Sequence, residues 1–174
     1  LVFEYLEDKG VKPYIRNIWE PFREIIEKTC PWLEITPTDI SWDYVYTREK
    51  LAELKGKKLH GKRNHINKFI EEHPDFVYKK LDPSMYDECI AVYDEWKEEK
   101  GLSEKEFANE RRSVVLALEN MDKLNLTGGA ILLDGKIKAF TIGERLTENM
   151  QLIHIEKADA EINGLFPMIL PLLL

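Results

Sequence analysis

The 174 residues are 44% hydrophobic and 33% charged, a balance that excludes a disordered or fibrous chain and suffices to bury a core at the size of one domain. A net charge of −7 excludes a surface that grips nucleic acid as a whole, so any polyanion site has to be local. Cys30 and Cys89 lie in separate segments with no secretory run before them, which supports neither a disulfide framework nor a CxxC metal knuckle and points to reduced thiols in the cytoplasm.

The opening LVFEYLEDKGVKPYI reads as the end of one strand and the start of another. In WEPFREIIEKTC the apolar Phe22, Ile25 and Ile26 fall at helical spacing until Pro31 stops the pattern. DISWDYVYT alternates and is rich in aromatic and β-branched residues, which predicts a strand. Thr47 can cap a short REKLAELKG helix that Gly56 closes. Residues 55–68, KGKKLHGKRNHINK, hold six Lys or Arg, two His and no acid, and their helical pattern runs on through Ile66, Phe69 and Ile70 to Pro74. DFVYKKL reads as a strand. Asp82 as N-cap with Pro83 at the first helical position opens a helix through Tyr86, Ile90, Tyr93 and Trp96. Ser103 and Glu106 form a capping box for a second helix through Val114, Leu118 and Met121.

GGAILLDGKIKAFTIGERL carries an Asp-Gly turn between two β-rich runs, a strong hairpin signal, and NMQLIHIEKA follows as a third strand. After Asn163-Gly164 the apolar GLFPMILPLLL reads as a helix, interrupted by Pro167 and Pro171. It falls short of the roughly 20 residues that span a bilayer. Trp19, Trp32, Trp42 and Trp96 sit in apolar-patterned segments and are read as core. The fold class is therefore α+β, a mixed, mainly antiparallel sheet flanked by helices.

The basic stretch makes a local positive potential suited to phosphates, with Lys57, Lys58 and Lys62 as mobile charges and Arg63 as a bidentate fork, so that Lys58, Lys62, Arg63 and Lys68 are candidates to hold them. The alternative for the lysines is a solvated helix face. Asn64 and His65 are disfavoured in a helix interior, so they either bind or form a buried polar network. On the strand 151–157, period-two alternation puts Leu152, His154 and Glu156 on one face, with Glu144 of the preceding strand opposite Leu152 on that same face. Glu156, Glu144 and His154 are thus candidate bases for an attacking amine, the alternative being an ion pair within the sheet. Gly143 marks a bulge or a close backbone approach, or a turn-side glycine. His60, His65 and His73 lack metal spacing, and no metal site is expected.

YVYTREKLAELKGKKLHGKRNHINKF, GGAILLDGKIKAFTIGERL and HIEKADAEINGLF, in this order, resemble the bacterial family of phosphatidylglycerol lysyltransferase C-terminal-like domains. The resemblance covers roughly residues 40–166. It implies a Gcn5-related acetyltransferase-like fold in two fused halves: residues 1–75 as the C-terminal part of the first, including the basic segment, and 76–174 as the second, incomplete at its C-terminus. It further implies acyl or aminoacyl transfer to an amine, hydroxyl or lipid acceptor, with aminoacyl-tRNA or an acyl-coenzyme A as donor and no tightly bound cofactor. The turn 159–164 has a single glycine and lacks the Q/R-x-x-G-x-G/A pattern of acetyl-CoA enzymes, which favours aminoacyl-tRNA. A non-catalytic polyanion-binding module on the same fold is the other reading.

Overall fold

The protein is described here by a computed structural model covering residues 2–12, 14–18, 20–37, 43–100 and 104–173. The chain forms two compact units, Leu1–Val45 and Tyr46–Leu174. The first holds helices α1 (Val2–Asp8) and α2 (Glu20–Thr29). Helix α1 replaces the expected strand, because VFEYLED lacks β-type alternation and Gly10, at φ 69°, closes a helical C-cap in which Val11 N–H reaches the Leu6 carbonyl. Helix α2 forms as its spacing predicts, yet Phe22 and Ile25 on its apolar face are exposed, and so is Trp32, which is not core. Trp19 and Trp42 lie outside the described residues. The strand expected over DISWDYVYT falls partly outside them too; its described part, 43–47, forms no strand.

The second unit opens on α3 (Arg48–Glu53), whose N-cap Thr47 accepts the Lys50 N–H at 3.3 Å. It ends at Leu54, in the left-handed region at φ 47°, two residues before the expected glycine. A 3-10 turn (Lys57–Leu59) leads into α4 (His60–Glu72), so the basic stretch is helical almost throughout. After β1 (Val77–Lys80), Asp82 accepts the Ser84 N–H at 2.9 Å and Pro83 starts a short 3-10 turn into α5 (Tyr86–Lys100). Helix α6 (Glu104–Glu119) follows; its expected cap, Ser103, lies outside the described residues.

Strands β2 (Leu126–Leu133), β3 (Lys136–Thr147) and β4 (Met150–Ala158) complete one antiparallel sheet in the order β1-β2-β3-β4. Positive φ at both Asp134 and Gly135 gives the two-residue turn that matches strand twist. Helix α7 (Leu165–Leu173) closes the unit, with Pro167 in its first turn, where no backbone N–H is required.

Helices α5 and α6 cover one face of the sheet around Tyr93, Val114, Leu118, Phe140 and Ile142. Helices α4 and α7 cover the other around Phe69, Ile131, Ala139, Leu165 and Ile169. Two bulges place side chains on these faces. Ile131 and Leu132 pair with Ala139 and Ile137, leaving Lys138 as the extra residue, and Ile142 and Gly143 pair with Ile155 and Ile153, leaving His154 as the extra residue.

Helices α4 and α7 meet at Gly164, which has φ 84° and whose Cβ, if present, would drive into the His65 carbonyl. Gly164→Ala is therefore expected to destabilise the protein by at least about 2 kcal/mol, the left-handed penalty and the clash adding. A lower urea midpoint at unchanged slope checks this.

Candidate functional site

The bulge at His154 divides the expected cluster of bases. Glu144 pairs with Leu152 on the α5/α6 face, and His154 donates from Nε2 to Glu144 Oε1 at 2.9 Å on that side. Glu156 pairs with Thr141, next to Ala139 in the other phase of β3, and so faces α4 and α7. The three side chains do not share a face as simple alternation predicts, because the extra residue shifts the phase of β4 between its two halves. Gly143 sits at this bulge, and a Cβ there would meet the Leu152 carbonyl, so the close-approach reading of this glycine holds.

Glu156 is half-buried, and burial pushes its carboxyl up to about 7, with the charges of Lys62 and Lys157 pulling the other way. Lys62 lies on α4 one turn before the buried Ile66, at the end of the helix face that packs on the sheet. Across the sheet Gly129, Thr141 and Glu156 stand in register. The Thr141 hydroxyl is fully buried and without a hydrogen-bond partner. The Tyr78 phenol lies over Gly129 in the space a Cβ would take, and burial raises its pKa. A carboxyl that exchanges its proton near neutrality, a buried hydroxyl and a phenol thus line one row beneath the basic helix. Such a row can accept a proton from a nucleophile and hold polar atoms of a substrate.

The basic residues separate by role. Lys58, in the 3-10 turn, and Lys62, in the first turn of α4, are exposed, whereas Lys68 lies further along and pairs with Glu72 at 3.5 Å. Arg63 donates from Nη1 to the Leu54 carbonyl at 2.7 Å, satisfying the C-terminus of α3. Asn64 donates to His60 Nδ1 at 3.3 Å, and His65 donates from Nδ1 to Asn163 Oδ1 at 2.7 Å, which ties α4 to the turn before α7. Of the block Arg63-Asn64-His65, the structure thus gives every member an intramolecular partner. That turn is also closed by its own bonds, Asp159 Oδ1 accepting the Glu161 N–H and pairing through Oδ2 with Lys138 at 2.9 Å. Among the described residues no group of three or more His, Cys, Asp or Glu converges as a metal site.

On the opposite face Lys157 is buried, 3.5 Å from the Trp96 ring centroid, and donates to Glu110 Oε1 at 2.8 Å. Tyr93 donates to the other oxygen of Glu110 at 3.2 Å. Lys157 therefore pairs with α6 and leaves Glu144 to His154.

The family described as "Phosphatidylglycerol lysyltransferase, C-terminal" matches residues 2–171. The chain belongs to this family. A crystal structure titled as a conserved protein of unknown function from Bacteroides thetaiotaomicron is similar at 36% identity and a TM-score of 0.79, over 96% of this chain and 57% of that one. The chain thus spans little more than half the length of that relative. No curated protein matches it. In this member of the lysyltransferase C-terminal family the α4 and β4 blocks carry the helix and strand that build the row around Glu156. Among the described residues no helix is long and apolar enough to cross a membrane.

Tyr78 and Thr141 were not legible as site residues. Their one signal was the Gly128-Gly129 pair, which leaves room above β2. Because the folded pKa of Glu156 lies near 7 and its ordinary value at 4.5, the folded state holds the proton more tightly. Stability from this group is full below about pH 4.5 and declines as pH rises through 7. Glu156→Gln is expected to exceed the wild type by about 1–3 kcal/mol near pH 8 and to match it near pH 4, as read from urea midpoints at the two pH values.

Proposed function

We propose that the α4/α7 face of the sheet is the site of acyl or aminoacyl transfer from an activated donor to an amine or hydroxyl acceptor. The observation that carries the reading is Glu156, a half-buried carboxyl brought to about 7 beneath a helix whose first turn presents Lys62. The family name, which denotes a lysyltransferase, supports it. So does the order of β1 through α7, which resembles that of a Gcn5-related acyltransferase half. The relative's greater length fits a molecule built of two such halves.

In this reading the donor is an aminoacyl-tRNA. Lys58 and Lys62, assisted by Lys68, hold its phosphates, while Arg63, Asn64 and His65 keep α4 in place. The acceptor's nitrogen or oxygen attacks the ester carbonyl; the new bond forms as the ester C–O bond breaks. Glu156 takes the acceptor's proton and returns it to the departing hydroxyl oxygen. Thr141 and Tyr78 lie in the same row as further hydrogen-bonding groups.

Glu156→Gln is expected to lower turnover with a charged tRNA by about 10²–10⁴-fold while donor binding persists. Unchanged turnover would remove Glu156 as the base, and no turnover by the wild type would leave a polyanion-binding module. Replacing Lys58 and Lys62 by Ala is expected to weaken tRNA binding and to reduce the slope of log affinity against log salt by about 2. A slope that stays the same removes these lysines from the donor site. Heat on titration with acetyl-CoA at millimolar concentration would replace the donor named here by an acyl-coenzyme A.

A further inference from the structure

The face of the sheet opposite Glu156 carries a cleft that the transfer site does not use. It lies between α6 and β4, has a volume of about 460 Å³, and is walled by Leu116, Ala117, Leu124, Leu126 and Ile155, with His154 at its rim. This is within the range of small-molecule sites, about 300–1,000 Å³. Leu116 and Leu124 are exposed in it, 46% and 53%, so an apolar body placed there would remove their surface from water. Ser113, the other polar lining residue, has its hydroxyl committed to the Asn109 carbonyl at 3.1 Å.

The polar chemistry of the rim is one-sided. His154 donates its Nε2 proton to Glu144 Oε1, which leaves the second oxygen of Glu144 and, in the neutral ring, the Nδ1 lone pair, both acceptors. Glu144 pairs across β2–β3 with Leu126, so it stands between two lining residues, Leu126 and His154. No Lys or Arg lines the cleft. A rim of acceptors with a carboxylate above an apolar floor selects a hydrogen-bond donor carrying positive charge.

We infer that this cleft binds a primary amine with a compact apolar body, its ammonium at Glu144 and His154 and its body against Leu116, Leu124 and Ile155. The inference goes beyond the transfer reading and does not rest on it, since the cleft and Glu156 lie on opposite faces of the sheet.

Calorimetry on the whole chain at about pH 8, where an ordinary imidazole is neutral, tests the site with hexylamine, hexanol and hexanoate. Hexylamine is expected to bind, hexanol about tenfold or more weakly, and hexanoate not at all. Glu144→Gln is expected to lower hexylamine affinity about tenfold or more, and Leu116→Ala to lower it several-fold, while Glu156→Gln leaves it unchanged. No heat with hexylamine, equal binding of hexanol, or an affinity indifferent to Glu144→Gln overturns the inference. Hexylamine binding that follows this pattern without any transfer from charged tRNA upholds the cleft and removes the transfer reading instead.

Discussion

One extra residue in an edge strand governs the chemistry of this sheet. With His154 bulged out of the β3–β4 ladder, the lower part of β4 is out of phase with the upper part, so Glu156 turns toward α4 while the Glu144–His154 pair stays on the α6 side. Without that residue the three groups would crowd one face, and two carboxylates and an imidazole would titrate against each other. With it, Glu156 is separated from Glu144 and His154, and burial rather than like charge sets its proton affinity. Gly143 makes the arrangement possible, since the Leu152 carbonyl occupies the space of its side chain.

The acidity of the chain and the basicity of α4 are reconciled at the same place. Many of the described carboxylates, among them those of α2 and the end of α4, lie at exposed helix positions, where water screens them. Lys58 in the 3-10 turn and Lys62 in the first turn of α4 have no carboxylate within a turn of them, and Lys62 is the charge that most opposes the effect of burial on Glu156. The remaining block residues work inward. Arg63 satisfies the end of α3 and His65 fastens the turn before α7, so the cationic end of α4 is held from two sides.

Much of the fold was legible because its signals are local. Thr47, Asp82 with Pro83, and Asp134-Gly135 each dictate a cap or turn through their own side chain or φ, and each does so in the structure. The family resemblance was legible in the α4 and β4 blocks, and the family is as expected. What alternation could not show was the bulge, because a two-against-one pairing is a property of two strands and not of either sequence. Nor could it show that Arg63 is held by Leu54, nine residues before it, or that Thr141, a residue of strongly β-forming type, would be left with a buried hydroxyl and no partner. The expected strands at LVFEY and DYVYT failed for a related reason: a short apolar or alternating run becomes a strand only when another strand accepts its backbone.

Lys157 has a consequence for how the chain finds this arrangement. An edge strand with apolar residues on both faces can pair in either of two registers one residue apart, and a slip exchanges its faces. Here such a slip would withdraw the ammonium from Trp96 and Glu110 and bring the Glu156 carboxyl to the face that Glu110 occupies. The ammonium would lose its carboxylate and its aromatic ring, and two carboxyls would meet in its place, a double loss of partners for buried groups. The buried lysine therefore acts as a proofreading device for strand β4, rejecting the misfolded ladder in which the carboxyl and the cation have changed sides.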